Sequence, residues 1–177
     1  MLEKLQKLSR FIHCVSEWSG RLTSWLVVAM VCVIVYDVGM RYLFSEGSVM
    51  LQELQWHFFA LIFLLGAAYT FKYDDHVRVD IFYQSKWVSD KGRAWIEVLG
   101  GIFILLPFCL LVISSSIPFI SNSFQFLEGS PDPGGLPYRF LLKSAIPLGF
   151  FLLLLQGIAH SFDNVLIILG HHDKDAS

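Results

Sequence analysis

Charge is scarce in this sequence: 16% of its 177 residues are Asp, Glu, Lys or Arg, while 55% are apolar. Long hydrophilic stretches are missing too. The longest, about 20 residues from Lys72 to Arg93, is far below the size that buries an independent core, which excludes a separate globular domain. The three cysteines, Cys14, Cys32 and Cys109, show no metal-ligand spacing, and the last two lie inside apolar runs, so they read as packing residues. No glycine-rich loop could cradle a phosphate. The basic residues are not interleaved with aromatics as nucleic-acid binders require. A haem held between helices needs histidines at matching depth, yet His57 falls near one edge of the apolar region and His160 near the other. The expectation is a protein that is not an enzyme, without cofactor, metal or nucleic acid.

What is present is apolar run after apolar run. Four segments, 22–42, 49–71, 94–116 and 138–169, reach the roughly 20 residues that cross a bilayer. They predict an all-α integral membrane protein, one membrane domain over 1–177 with four transmembrane helices. A cleavable signal peptide fits poorly, because some 20 residues precede the first run and no small-residue cleavage site follows it. In residues 1–21, Leu2, Leu5, Leu8, Ile12 and Val15 recur every three or four positions between Lys4, Lys7 and Arg10. That pattern predicts an amphipathic interfacial helix lying on the membrane lipid before it turns into the first span. The loop "FKYDDHVRVDIFYQSKWVSDKGR" mixes apolar and charged residues and reads as a second interfacial segment. "SNSFQFLEGSPDPGGLPYR" packs three prolines and three glycines between spans three and four, which forces turns.

Orientation follows from the basic residues. With an even number of spans, ten Lys and Arg in the N-terminal segment, the second loop and the tail share one side, against Arg41, Arg139 and Lys143 on the other. The positive-inside rule then places both termini in the cytoplasm.

Two polar pairs stand at the outer ends of the first two spans. Asp37 and Arg41 are four apart with the acid N-terminal, the favourable order on a helix; Glu53 and His57 repeat the spacing after a short link. At 1.5 Å per residue Asp37 lies about 22 Å from Leu22, near the outer edge of an apolar layer about 30 Å thick. The planar fork of Arg41 could serve both Asp37 and Glu53, forming a clasp between helices one and two. Charge in a span is a functional hypothesis by default, so partner docking or transport stands beside the structural reading. A small multidrug exporter would need an acid buried mid-membrane in its first helix, and Asp37 is too close to the edge. Gly66, Gly100, Gly101, Gly149 and Gly157 read as close-approach points between helices.

"YDVGMRYLF", "LQELQWHFFALIFLLGAAYTFKYDDHVRVDIFY" and "LPYRFLLKSAIPLGFFLLLLQG", in this order, resemble the small membrane subunit of tripartite ATP-independent periplasmic (TRAP) transporters, the DctQ-like family. The similarity runs over roughly residues 22–160. It implies a scaffold in the bacterial inner membrane, paired with a large subunit that carries the substrate and sodium sites and docked by a periplasmic substrate-binding protein that captures an organic anion. Asp37, Arg41, Glu53 and His76 match recurrent polar positions of that family. Within this reading Glu128, Asp132, Tyr138 and Arg139 are docking candidates in the outer loop, and His76, Arg78 and Asp80 are polar positions of the cytoplasmic loop. The alternative is an autonomous small four-helix transporter or exporter.

Overall fold

The computed structural model describes residues 2–73 and 89–169, with side chains from residue 7 onward except that of Asp90. Helix α1 covers Leu2–Leu43, α2 Val49–Lys72, α3 Asp90–Gly100, α4 Leu106–Gln125 and α5 Phe140–Ile168. A π-helical segment, Gly101–Leu105, joins α3 to α4, so the two form one continuous span, Lys91–Gln125. Pro107 follows directly: its ring nitrogen cannot donate to the carbonyl one turn back, and the ladder widens just before it. Four spans are long and apolar enough to cross a membrane, and no strand occurs among the described residues.

The expected turn between the amphipathic segment and the first span does not form. Residues 2–43 make one unbroken helix, about 63 Å long at 1.5 Å per residue. No proline interrupts it, and its inward face near the N-terminus is held along α5. The buried positions there are Ser9, Ile12, Ser16 and Ser19, whereas Leu8 and Phe11 face outward. Of the described members of the apolar repeat, Leu8 thus faces outward while Ile12 packs inward beside the serines.

Helix ends follow local chemistry. Ser45 adopts a left-handed φ of 58° and lets the Glu46 N–H reach back to the Met40 carbonyl at 3.2 Å, closing α1. Ser48 then caps α2 by accepting the Leu51 N–H, and Ser89 caps α3 by accepting that of Gly92. Leu127, with φ 44°, ends α4 in the same way as Ser45 ends α1, its successor Glu128 donating to the Ser123 carbonyl at 3.0 Å.

Helix α5 is the hub: it packs on α1, α2, α3 and α4. Its buried residues are small or polar, among them Ala145, Gly149, Gln156, Gly157, Ala159 and Ser161. The large apolar side chains point outward, Trp18, Trp25, Phe63 and Phe103 being at least 70% exposed. In a bilayer this arrangement is favourable. Lipid tails solvate leucine and phenylalanine as well as a protein core does, so helices associate through close contact and hydrogen bonds.

The described charges fall into two layers. The loop end, at the α1–α2 turn and loop 126–139, holds Asp37, Arg41, Glu53, Glu128, Arg139 and Lys143; the opposite, terminal end holds Glu17, Arg21, Lys72, Glu97 and Asp163. From Glu53 to Lys72 along α2 is about 28 Å at 1.5 Å per residue, close to the roughly 30 Å of a hydrocarbon layer. Among the described residues no Asp, Glu, Lys or Arg lies between the layers.

Candidate functional site

At the loop end, Asp37 is 3% exposed and accepts Arg41 Nη2 at 2.7 Å and, weakly, Gln55 Nε2 at 3.5 Å. The helical i,i+4 spacing thus forms the expected pair. The second half of the expected clasp is corrected: the partners of Glu53 come from the outer loop, not from Arg41. Ser130 Oγ donates to Glu53 Oε1, the Leu136 N–H to Oε2 at 2.6 Å, and Arg139 Nη2 to Oε1 at 3.2 Å. The reason is placement. Helix rotation buries Glu53 to 1% exposure beneath loop 126–139, while Arg41 sits on α1 with its side chain half exposed.

His57 stays on its own helix. Its Nδ1–H donates to the Glu53 carbonyl at 2.7 Å, which fixes the tautomer, since a carbonyl oxygen can only accept. The four outer-loop candidates divide into separate tasks. Glu128 pairs with Lys143 of α5, whose ammonium holds the Glu128 carboxyl below the usual carboxylate range. Arg139 turns inward to Glu53, and its N–H bonds the Glu128 carbonyl at 2.8 Å. Tyr138, with φ 61°, is half exposed and sits edge-on to Phe140. Asp132 is exposed at the loop tip, its N–H on Ser130 Oγ at 3.1 Å. His76, Arg78 and Asp80 lie outside the described residues.

A second network at the terminal end escaped sequence reasoning. Gln156 is fully buried and accepts the Ser16 hydroxyl at 2.7 Å, while its amide nitrogen donates to His13 Nδ1 at 3.1 Å. His13 Nε2 donates to Asp163 at 2.9 Å, and Ser9 donates to the same carboxylate at 2.8 Å. Beside it, Lys72 and the Tyr73 hydroxyl meet Glu17 at 2.9 and 2.7 Å, and donating to that carboxylate pushes the Tyr73 pKa up. His160 faces Glu97 at 3.3 Å. The detectable signal was Gln156 itself: an uncharged amide inside "FFLLLLQGIAHSF" has no water to turn to in a bilayer and must find a partner.

These spans, with polar groups paired at both ends and apolar side chains facing outward, define a multi-pass helical membrane protein. The chain belongs to the family described as tripartite ATP-independent periplasmic transporters, DctQ component, whose profile matches residues 30–166. It is also similar to a Haemophilus influenzae protein provisionally named a TRAP transporter small permease protein, with 26% identity over 113 residues, covering 63% of this chain and 69% of that one. The resemblance read from the sequence is thus established at the level of the family, and the chain is a TRAP transporter component.

Proposed function

We propose that this chain is the small membrane subunit of a sodium-driven, binding-protein-dependent secondary transporter for organic anions. It braces the large membrane subunit and presents loop 126–139 to a periplasmic binding protein, with both termini in the cytoplasm of a bacterial inner membrane. The observation that carries this reading is the anchoring of the loop. Three donors from residues 130–139 converge on one buried carboxylate of α2, so the loop is held as a fixed surface rather than a free connection. A fixed surface suits docking, because little ordering entropy remains to be lost when a partner binds. The exposed apolar sides of the helices leave room for a membrane partner, and the charged layers would set its depth.

Affinity purification tests both contacts. The tagged chain, expressed with its neighbouring genes, is expected to elute with a second, larger membrane protein. Asp132→Lys is expected to weaken capture of the binding protein about ten-fold or more, since charge reversal at a contact costs association energy. The membrane complex should meanwhile stay intact. Elution of the chain alone would contradict the bracing role, and undiminished capture by the Asp132→Lys variant would contradict the docking role.

A further inference from the structure

Glu53 is the most heavily engaged buried carboxylate among the described residues, and it reaches the exposed tip of the outer loop through a single intermediary. Its two oxygens take a hydroxyl, a backbone N–H and a guanidinium, one each from Ser130, Leu136 and Arg139. Ser130 is the relay: the same Oγ that donates to Glu53 accepts the N–H of Asp132 at 3.1 Å. The loop is shaped to fit the carboxylate. A Cβ at Gly135 would run into Ser130 Cβ and Oγ first and would stand 2.7 Å from Glu53 Oε2, so glycine there is a requirement of space beside the Ser130–Glu53 contact. Tyr138 takes a left-handed φ of 61°, and the residue after it sends its guanidinium down to Glu53 while its N–H bonds the Glu128 carbonyl.

Apart from Glu53 the loop is closed at its base by the Arg139 N–H on the Glu128 carbonyl at 2.8 Å and by the Glu128–Lys143 pair, but its tip has less to hold it. Its internal backbone bonds between Ser130 and Arg139 are Ser130 N–H to the Leu136 carbonyl at 3.0 Å and Gly135 N–H to the Asp132 carbonyl at 3.1 Å. Helix α2 thus supplies the template, and the loop wraps it.

We propose that Glu53 is the positioning residue of the docking surface: acting through Ser130, Leu136 and Arg139, it fixes the shape in which Asp132 and the loop tip meet the binding protein, while contacting no partner itself. The inference rests on the docking reading above, and two separate readouts keep the two apart.

The complex of this chain with its large subunit, in lipid nanodiscs, is measured for amide exchange in residues 128–139 and for binding of the purified periplasmic protein encoded beside it. Glu53→Gln is expected to speed exchange in the loop about ten-fold or more, the scale of one lost charged hydrogen bond, and to weaken binding to a similar degree. The large subunit should still co-elute. In uptake assays the concentration of binding protein needed for half-maximal rate should rise, while the rate at saturation stays unchanged, a split that general destabilisation would not produce. Ser130→Ala, which leaves α2 untouched, should act in the same direction, more weakly. Unchanged loop exchange in Glu53→Gln and Ser130→Ala would overturn the positioning role, whatever the binding protein does. Faster exchange with unaltered binding would instead overturn the claim that the positioned loop is the docking surface.

Discussion

Gly149→Ala is expected to destabilise the bundle, and Gly39→Ala to stabilise it slightly, although both replace a helical glycine by the best helix former. At Gly149, in the first half of α5, an added Cβ would stand 2.6 Å from the Leu64 carbonyl oxygen and 2.9 Å from its carbon. These are backbone atoms of α2, and α2 is tied at one end to the loop and at the other to Glu17, so it cannot yield without loosening both. Overpacking of this kind costs about 1–3 kcal/mol, and Gly149→Val should exceed Gly149→Ala. At Gly39 nothing lies within 4 Å, so alanine there meets no obstacle. Reduced freedom of the unfolded chain should contribute about 0.5–1 kcal/mol. Thermal unfolding in one detergent measures all three. Equal behaviour of Gly149→Ala and Gly39→Ala would mean that α2 and α5 do not meet at this point.

The second large effect is expected at the corrected clasp. Arg41→Ala leaves Asp37, 3% exposed, with only the weak Gln55 contact, and one of its oxygens, Oδ1, already lacks a hydrogen-bond partner. Removing one member of a buried ion pair costs about 3–5 kcal/mol; the half-exposed Arg41 side chain lowers this to about 2 kcal/mol, because solvent screens its side of the pair. The double variant Arg41→Ala with Asp37→Asn carries no stranded charge and should recover most of the loss. Adding Glu53→Gln should not recover more. Glu53 has its own three donors, so that change is expected to destabilise further. Thermal stability of the single, double and triple variants in detergent decides the matter. Best recovery in the triple variant would restore a clasp shared by Arg41, Asp37 and Glu53.

The contrast between these carboxylates shows what was legible in the sequence. Asp37 and Arg41 are four residues apart on one helix, and backbone geometry alone brings them together. Glu53 meets Arg139 across 86 residues, and Ser16 meets Gln156 across 140. Such pairs depend on how far each helix is rotated about its axis. In a soluble protein the apolar face would reveal that rotation; in a bilayer both the lipid-facing and the packed sides are free to be apolar, and the signal fades. The spans themselves were plain, since apolar runs bounded by charge need no partner to be recognised. The N-terminal helix misled for the same reason as Glu53. Its apolar residues repeat at helical spacing, but among the described ones Leu8 faces outward and Ile12 inward, and the packed face is completed by Ser9, Ser16 and Ser19. In retrospect, small hydroxyl residues at i, i+7 and i+10 were the better guide to contact.

The central claim, that this chain supports transport without carrying it, is tested most directly by uptake into proteoliposomes under an inward sodium gradient. The chain alone is expected to accumulate no organic anion, and the chain together with its large subunit and the periplasmic binding protein is expected to do so. Sodium-dependent accumulation by the chain alone would contradict the account.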